Sequence, residues 1–330
     1  MKTFLIGALA GAMALAAGPG AMGQDNVTLQ LKWVTQGQFA GYYVAQAKGF
    51  YEEEGLNVEI KPGGPDIAPE QVIAGGGADV ITTWMAAALA ARERGVPLVN
   101  IAQPFRQSGL LLTCRKDMGV ESTDDFKGKT LGVWFFGNEY PFYAWMAKLG
   151  LSTEGGAEGV EVLKQAFNVD PLIQKQAACI STMTYNEYGQ VLRAGLTPDE
   201  LTVFNYRDEG VGMLEDGLYV LEDSLDDPAF VERMTRFVRA SMKGWDYARD
   251  NPEEAAQIVV DNDMTGAMSV EDQLYQVSEI NKLTQGSSGV LDEADYRQTV
   301  DTLLSAVSPD NPAITREPEG AFSHVVTDGL

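Results

Sequence analysis

Residues 38–60 read QFAGYYVAQAKGFYEEEGLNVEI, and this stretch decides the fold. The apolar segment 27–33 precedes it and the segment 56–60 ends it, so together they predict the first β-α-β unit of an α/β domain. The predicted helix carries two tyrosines near its start, and Trp33 ends the strand before it. Aromatic faces therefore lie beside the free backbone N–H groups of a helix start, which suits the binding of a small polar ring.

The N-terminal segment has the composition of an export signal. Lys2 is followed by an apolar run over 4–17, a Gly-Pro turn and a small-x-small site at 21–23. The run is too short to span a membrane, and Gly and Pro close it where a buried helix would have to pack. We therefore expect a cleavable signal peptide over 1–23, a mature chain from about Gln24 and a periplasmic location.

Charge and size restrict the class of protein. The net charge of −23 at pH 7 argues against nucleic acid or an anionic membrane surface as a partner. It does not decide the charge of a small ligand, because a local site can oppose the overall sign. The roughly 300 residues after the signal suit two domains. No later segment is long and apolar enough for insertion into a bilayer.

The chain contains two cysteines, Cys114 and Cys179, in apolar segments that read as strands. An oxidising compartment permits a disulfide between them. The sequence does not show whether they are close together, so we expect buried free thiols rather than a bridge. Neither cysteine belongs to a Cys-x-x-Cys motif, and no zinc or redox site is predicted.

The pattern of short strands and helices occurs twice along the chain. It restarts at 125–134 (DFKGKTLGVW), and beyond residue 217 the sequence is mostly helical. We therefore predict two α/β lobes with the chain crossing between them near 113–116 and 207–214. Lobe 1 is expected to comprise 24–113 and 214–330, and lobe 2 to comprise 114–213. The tail after Pro309 is predicted to be loose.

A two-lobed α/β chain binds its ligand in the crevice between the lobes, against the carboxyl ends of the sheet strands. The candidate site therefore consists of side chains on loops that follow predicted strands, or on the helix starts beyond them. The candidate ligand-binding residues are Trp33, Gln38, Phe39, Tyr42, Gly64, Asp66, Trp84, Asn138, Glu139, Tyr185, Asn186 and Glu187.

The chemistry of this set favours a flat ring that donates hydrogen bonds. Aromatic side chains stack on such a ring, and the carboxylates of Asp66, Glu139 and Glu187 accept from its N–H groups. A sulfonate or phosphate would call for a basic residue, and Arg106 and Arg115 are the nearby candidates. Each residue also has a structural alternative: the tryptophans can be core residues, and an acid at a helix start is favoured by the helix dipole alone.

Enzyme chemistry finds little support in the sequence. The one histidine, His324, lies in the predicted tail, so a Ser-His-Asp or Cys-His arrangement in the core is not available. No phosphate-binding loop, nucleophile elbow or metal-ligand spacing is present. We expect no catalytic residue, no metal and no cofactor.

A family resemblance rests on motifs spread over 27–305. It is carried by 38–45 (QFAGYYVA), Gly49 with 51–56 (YEEEGL), 62–66 (PGGPD), 127–129 (KGK), 137–139 (GNE), 183–187 (MTYNE), and 209–210 (EG) with 213–217 (MLEDG). With these motifs the chain resembles the periplasmic solute-binding proteins of ABC importers, in the family of thiamine-pyrimidine precursor binders and hydroxymethylpyrimidine phosphate synthase. That family also contains riboflavin and sulfonate binders.

The resemblance implies a type II periplasmic-binding-protein fold, with two α/β lobes joined by a two-strand hinge and a ligand cleft between them. It implies a thiamine pyrimidine precursor, hydroxymethylpyrimidine or formylaminopyrimidine, as the favoured ligand and riboflavin as the second. The implied partners are the permease and ATPase subunits of an importer, with the binding protein itself a monomer. An aliphatic sulfonate binder is one alternative.

A synthase-like enzyme is the other alternative that the resemblance raises. The synthases use an active-site histidine and a cysteine-rich iron motif. This chain has no histidine before His324 and only two scattered cysteines. The expected function is therefore binding rather than synthesis.

Overall fold

A computed structural model describes residues 24–135, 137–305 and 312–330 of the chain. The predicted signal peptide, 1–23, lies outside the described residues. The ten strands of the described part are β1 (Asp25–Gln30), β2 (Leu56–Lys61), β3 (Val80–Thr83), β4 (Leu98–Ala102), β5 (Leu110–Arg115), β6 (Thr130–Val133), β7 (Glu161–Lys164), β8 (Cys179–Met183), β9 (Leu201–Asn205) and β10 (Gly217–Leu221). Its eleven α-helices are α1 (Ala40–Ala47), α2 (Phe50–Glu53), α3 (Pro69–Ala74), α4 (Met85–Glu93), α5 (Tyr140–Leu149), α6 (Asp170–Ile173), α7 (Glu187–Arg193), α8 (Pro228–Asp250), α9 (Pro252–Asp261), α10 (Val270–Thr284) and α11 (Glu293–Ser305).

The strands form two separate mixed sheets, which confirms the α/β class. The first sheet has the order β2-β1-β3-β10-β4, and the second has the order β7-β6-β8-β5-β9. In each sheet three neighbouring strands are parallel: β1 pairs with β2 and β3, and β6 pairs with β7 and β8. One antiparallel strand, β10 or β5, lies beside the third of them. The carboxyl ends of the parallel strands therefore share one edge of each sheet.

The chain crosses between the sheets twice. β5 is paired along its whole length with β8 and β9 of the second sheet, starting from Leu110 opposite Met183. The first crossing therefore lies at 103–109, several residues before the expected position near 113–116. The chain returns between Asn205 at the end of β9 and Gly217 at the start of β10.

The first β-α-β unit is held by the long helix α8, which packs along α1. Gly244 of α8 lies so close to α1 that an added Cβ would be 2.1 Å from the Gly41 carbonyl oxygen, and Trp245 covers Gly41. This close approach buries the α1 side chains Tyr42, Tyr43 and Val44 in the main core. Helix α8 begins at Pro228, and the Asp227 carboxylate caps it by accepting from the Ala229 N–H at 2.9 Å.

The two cysteines form a disulfide, so the expectation of free thiols is wrong. Cys114 of β5 lies directly opposite Cys179 of β8 in an antiparallel pair, and both residues are buried. The expectation that both lie in apolar strands is confirmed. Their closeness depends on the register between β5 and β8, which are separated in sequence by two further strands.

The C-terminal segment 312–330 is packed on the first lobe, in contrast to the predicted loose tail. Its backbone continues the edge of the first sheet, since the Asn100 N–H donates to the Ala321 carbonyl and the Ser323 N–H to the Asn100 carbonyl, both at 2.9 Å. The Phe322 ring lies against Tyr296, with 4.7 Å between ring centroids. Across the described ranges, no helix combines the length and the hydropathy needed to cross a bilayer.

Candidate functional site

A cavity lies between the two lobes, at the edge where the parallel strands of both sheets end. The loops after β1 and β3 line it from the first lobe, and the loops after β6, β7 and β8 line it from the second. Its walls are Lys32, Trp33, Gln36, Gln38, Trp84, Trp134, Asn138, Phe167, Met183, Tyr185, Asn186 and Glu187. A neighbouring opening, bordered by the loop 64–70, shares Lys32, Trp33, Asn138 and Phe167 with it.

The structure brings most of the predicted site residues together. Seven of the twelve line the cavity: Trp33, Gln38, Trp84, Asn138, Tyr185, Asn186 and Glu187. Gly64 and Asp66 lie on the wall of the neighbouring opening.

The remaining three predicted residues do not line the cavity. Phe39 and Tyr42 are core residues, because α1 turns this side toward α8, where Tyr42 meets the edge of the Trp245 ring. The Glu139 carboxylate is used locally and accepts from the Gly137 N–H at 2.7 Å just before α5. Burial raises the pKa of Glu139 above its usual range.

Five cavity residues lie outside the set of twelve candidate ligand-binding residues: Lys32, Gln36, Trp134, Phe167 and Met183. Most of them lie at or just after the end of a strand, as the predicted residues do: Lys32 follows β1, Trp134 follows β6 and Met183 ends β8. The basic residue at the cavity is therefore Lys32. Neither predicted basic candidate is there: Arg115 pairs with Asp117 at 2.7 Å, and Arg106 lines a separate opening near the first crossing.

The aromatic walls come from both lobes. Trp33 of the first lobe meets Phe167 of the second, with 4.3 Å between ring centroids and an interplanar angle of 55°. The Lys32 ammonium lies 5.9 Å from the centre of the buried Trp84 ring. The Trp134 indole is held in place by donating to the Ala166 carbonyl at 3.2 Å. These faces can hold a flat ring between the lobes.

Glu187 provides a buried carboxylate at the start of α7. One of its oxygens accepts from the Met183 N–H at 3.1 Å, and the other accepts from the Asn186 side-chain amide at 2.9 Å. Burial raises the pKa of Glu187 to about 7, against the opposing effect of these hydrogen bonds. A carboxylate of this kind is stabilised by a ligand that offers it an N–H group or a positive charge.

A second acidic group lies behind the cavity, in the return crossing just before β10. The Glu215 carboxylate accepts from the Ser108 hydroxyl at 2.7 Å and from the Gly109 N–H at 2.9 Å, so it ties the two crossings together. The Asp216 carboxylate accepts from the Gln38 side-chain amide at 2.5 Å. Burial raises the pKa of both acids, and Lys32 opposes the rise at Asp216.

This acid pair was not among the predicted site residues. The signal for it is the adjacency of two acids to a run of apolar residues that reads as a buried strand. Charged residues are almost never fully buried unless they are paired or have a function.

Within the described ranges, no group of three or more His, Cys, Asp or Glu side chains is arranged to hold a metal ion. His324 lies in the C-terminal segment, where its ring packs against Phe322 at 5.4 Å between centroids, and it is not among the cavity residues. The geometry of the cavity is thus that of a binding site with aromatic walls, one carboxylate and one ammonium.

Comparison with known proteins gives one family and several named relatives. The model of a family described as NMT1/THI5 like matches residues 36–255. A riboflavin-binding protein of Chloroflexus aurantiacus is 26% identical over 77% of this chain and 72% of its own. A formylaminopyrimidine-binding protein of Halalkalibacterium halodurans is 23% identical over 72% of this chain and 71% of its own. A 4-amino-5-hydroxymethyl-2-methylpyrimidine phosphate synthase of Legionella pneumophila is 26% identical over 72% and 73%.

The same architecture occurs among solved structures. The periplasmic aliphatic sulphonate binding protein of Escherichia coli superimposes with a TM-score of 0.63 at 11% identity, covering 86% of this chain and 85% of its own. At this identity the likeness concerns the fold alone. It confirms the expected type II periplasmic-binding-protein architecture.

Proposed function

The chain belongs to the NMT1/THI5-like family, and from that premise we propose that it is a periplasmic solute-binding protein for a small vitamin-related nitrogen heterocycle. The proposed ligand is a thiamine pyrimidine precursor such as hydroxymethylpyrimidine or formylaminopyrimidine, with riboflavin second. The proposed partners are the permease and ATPase subunits of an ABC importer, to which a monomeric binding protein delivers the ligand.

The observation that carries this proposal is the combination of aromatic faces with the buried Glu187 carboxylate in one cavity between the lobes. A flat ring stacks on the tryptophans, and its N–H groups supply the charge-assisted hydrogen bonds that a desolvated carboxylate needs. An aminopyrimidine offers an amino donor and a ring nitrogen side by side, which matches the two oxygens of one carboxyl group when the ring nitrogen or the acid carries a proton. The names of the relatives that bind formylaminopyrimidine and riboflavin support the same class of ligand.

Lys32 gives the sulfonate alternative its support, because an ammonium at the cavity wall can receive an anionic group. The synthase alternative is supported by the name of the Legionella pneumophila relative. Against it stands the position of His324, which packs on Phe322 and lies outside the cavity residues. One experiment distinguishes the sulfonate binder and the synthase from the main proposal, because its compounds include a ligand or substrate for each.

The experiment is a thermal-shift screen of the mature protein, from Gln24, against a panel of small compounds: hydroxymethylpyrimidine, formylaminopyrimidine, thiamine, riboflavin, pyridoxal phosphate and taurine. A ligand at a hundredfold excess over its dissociation constant stabilises the folded state by about 2.7 kcal/mol, which such a screen detects. A shift with a pyrimidine or with riboflavin is the expected result and ranks the two. A shift with taurine alone contradicts the carboxylate-based site, and product formed from pyridoxal phosphate and iron supports the synthase.

A pair of variants locates the ligand within the protein. Replacing Glu187 by Ala should weaken the binding of the ligand by roughly 2–4 kcal/mol, because a charge-assisted hydrogen bond is lost in a closed site. Glu139→Ala is the matched control, since Glu139 is also a buried acid at a helix start but lies outside the cavity. Equal dissociation constants for the Glu187 variant and the unmodified protein would remove Glu187 from the site.

A further inference from the structure

Two glutamines connect the cavity to the acid pair behind it. The Gln38 side-chain N–H₂ group donates to Asp216 at 2.5 Å, and the Gln38 carbonyl oxygen accepts from the Gln36 side-chain N–H₂ group at 2.6 Å. All three side chains are at least nine-tenths buried, with exposed fractions of 1% for Asp216, 4% for Gln38 and 6% for Gln36. Both glutamines line the cavity, whereas Asp216 does not.

The carboxylate at the end of this chain fixes the direction of every bond in it. An ionised carboxylate only accepts hydrogen bonds, so Gln38 has to turn its N–H₂ group toward Asp216 and its carbonyl oxygen toward Gln36. Gln36 then has to present its own N–H₂ group to that oxygen. Burial raises the pKa of Asp216, and the Gln38 hydrogen bond and the Lys32 charge oppose this rise in favour of the ionised form.

The consequence for the cavity is an excess of acceptors. Gln36 uses its amide nitrogen within the chain, and no group of the described residues donates to its carbonyl oxygen. That oxygen is left for a ligand, in a cavity that Glu187 lines from the other lobe. A ligand with N–H donors finds acceptors on both sides of the cavity, and a ligand with carbonyl oxygens in their place leaves these acceptors unpaired at a cost.

We propose that Asp216 is a specificity-determining residue that acts at a distance: through Gln38 it orients Gln36 as a hydrogen-bond acceptor and so selects heterocycles whose polar edge carries N–H donors. The inference rests on the proposed function, and it names the substrate class of the same site more narrowly. Asp216 is a positioning residue in this scheme, since the ligand contacts Gln36 and not Asp216.

The test compares two isosteric substitutions in the acid pair. Asp216→Asn replaces a carboxylate, which only accepts hydrogen bonds, by an amide, which can also donate them. The backbone conformation should be preserved, because asparagine tolerates the left-handed conformation that residue 216 adopts at φ 42°. Both amides can then reverse, and Gln36 can present its N–H₂ group instead. Glu215→Gln is the matched control, because Glu215 is equally buried but bonds to Ser108 and Gly109 rather than to the glutamines.

The probes are hydroxymethylpyrimidine and its oxo counterpart, in which a carbonyl acceptor replaces the exocyclic amino donor and the neighbouring ring nitrogen changes from an acceptor to an N–H donor. The unmodified protein and Glu215→Gln should prefer the amino compound by at least about tenfold in dissociation constant. Asp216→Asn should reduce this preference to about threefold or less, with a weaker amino complex and a stronger oxo complex. A merely structural role would weaken both complexes alike, so an unchanged ratio in Asp216→Asn overturns the proposal.

A second measurement uses the empty protein and needs no ligand. In protein with ¹⁵N-labelled glutamine, the side-chain N–H signals of Gln38 should lie far downfield because they donate to a carboxylate. They should move in Asp216→Asn and stay in place in Glu215→Gln. Equal spectra in the two variants overturn the orientation of the amides. Failure of the unmodified protein to bind any pyrimidine or riboflavin refutes the proposed function instead, and the proposal for Asp216 is then decided by this measurement.

Discussion

Replacement of Glu187 by glutamine should make the stability of the empty protein less dependent on pH. Burial raises the pKa of this carboxyl from an ordinary 4.5 to about 7 in the folded protein. One pKa unit corresponds to about 1.4 kcal/mol, so the ionised group destabilises the folded state by about 3 kcal/mol. Below pH 4.5 the carboxyl is protonated in both the folded and the unfolded chain. Above pH 4.5 the unfolded chain ionises first, so the free energy of unfolding falls as the pH rises and the loss is complete once the pH has risen through the folded-state pKa of about 7.

The assay is urea unfolding of the empty protein at pH 5 and pH 8. Between these values the unmodified protein should lose about 2–3 kcal/mol more free energy of unfolding than Glu187→Gln does. Other buried acids, Glu215 and Asp216 among them, lower stability in the same direction, but they are present in both proteins and cancel in the comparison. Glu253→Gln, at an exposed position of α9, controls for the removal of one negative charge.

Equal pH dependence in the unmodified protein and Glu187→Gln would refute the reasoning, because it would show that Glu187 ionises in the folded state as readily as in the unfolded state. The carboxylate would then be well solvated, and the argument that it needs a donor from a ligand would fail with it. A bound ligand that supplies N–H donors should, by the same logic, reduce the pH dependence of the unmodified protein.

Two further predictions concern closure of the lobes and the disulfide. Gly137→Ala should weaken ligand binding by at least about tenfold, because a Cβ at residue 137 would lie 2.7 Å from the Ala87 Cβ across the cleft. Gly195→Ala should leave the dissociation constant unchanged, although Gly195 has nearly the same φ (101° against 100°), since nothing lies within 4 Å of its Cβ position. Small-angle scattering with and without ligand checks closure, and equal affinities of the two variants would contradict the contact. Replacing both Cys114 and Cys179 by Ala should lower the free energy of unfolding by about 4 kcal/mol, because the disulfide closes a long loop and so restricts the unfolded chain. Urea unfolding measures this loss, with the reduced unmodified protein as the comparison. A loss below about 1 kcal/mol would contradict the prediction.

The sequence predicts the cavity best where a side chain follows a parallel strand. Trp33, Trp84, Asn138 and Glu187 all obey this rule, because the carboxyl ends of parallel strands meet at one edge whatever the details of packing. The rule does not say which way a helix turns after the strand. Tyr42 lies one turn into α1, and the packing of α1 against α8, almost two hundred residues later in the chain, places its ring in the core.

The acid pair and the disulfide depend on topology that local patterns do not contain. Asp216 lies near the cavity because β10 inserts between β3 and β4, next to strands that precede it by more than a hundred residues. Cys114 meets Cys179 because β5 pairs with β8 in one particular register. Each residue looks ordinary in its own segment, and its role arises from which strands become neighbours.

The distribution of the five tryptophans allows ligand binding to be followed by the protein's own tryptophan fluorescence. Trp33, Trp84 and Trp134 line the cavity, whereas Trp145 and Trp245 are fully buried elsewhere in the core. A compound entering the cavity changes the surroundings of the first three indoles and leaves the other two as a constant internal standard. Emission from the unlabelled chain can therefore be titrated directly, and single tryptophan-to-phenylalanine changes assign the signal to one wall or another.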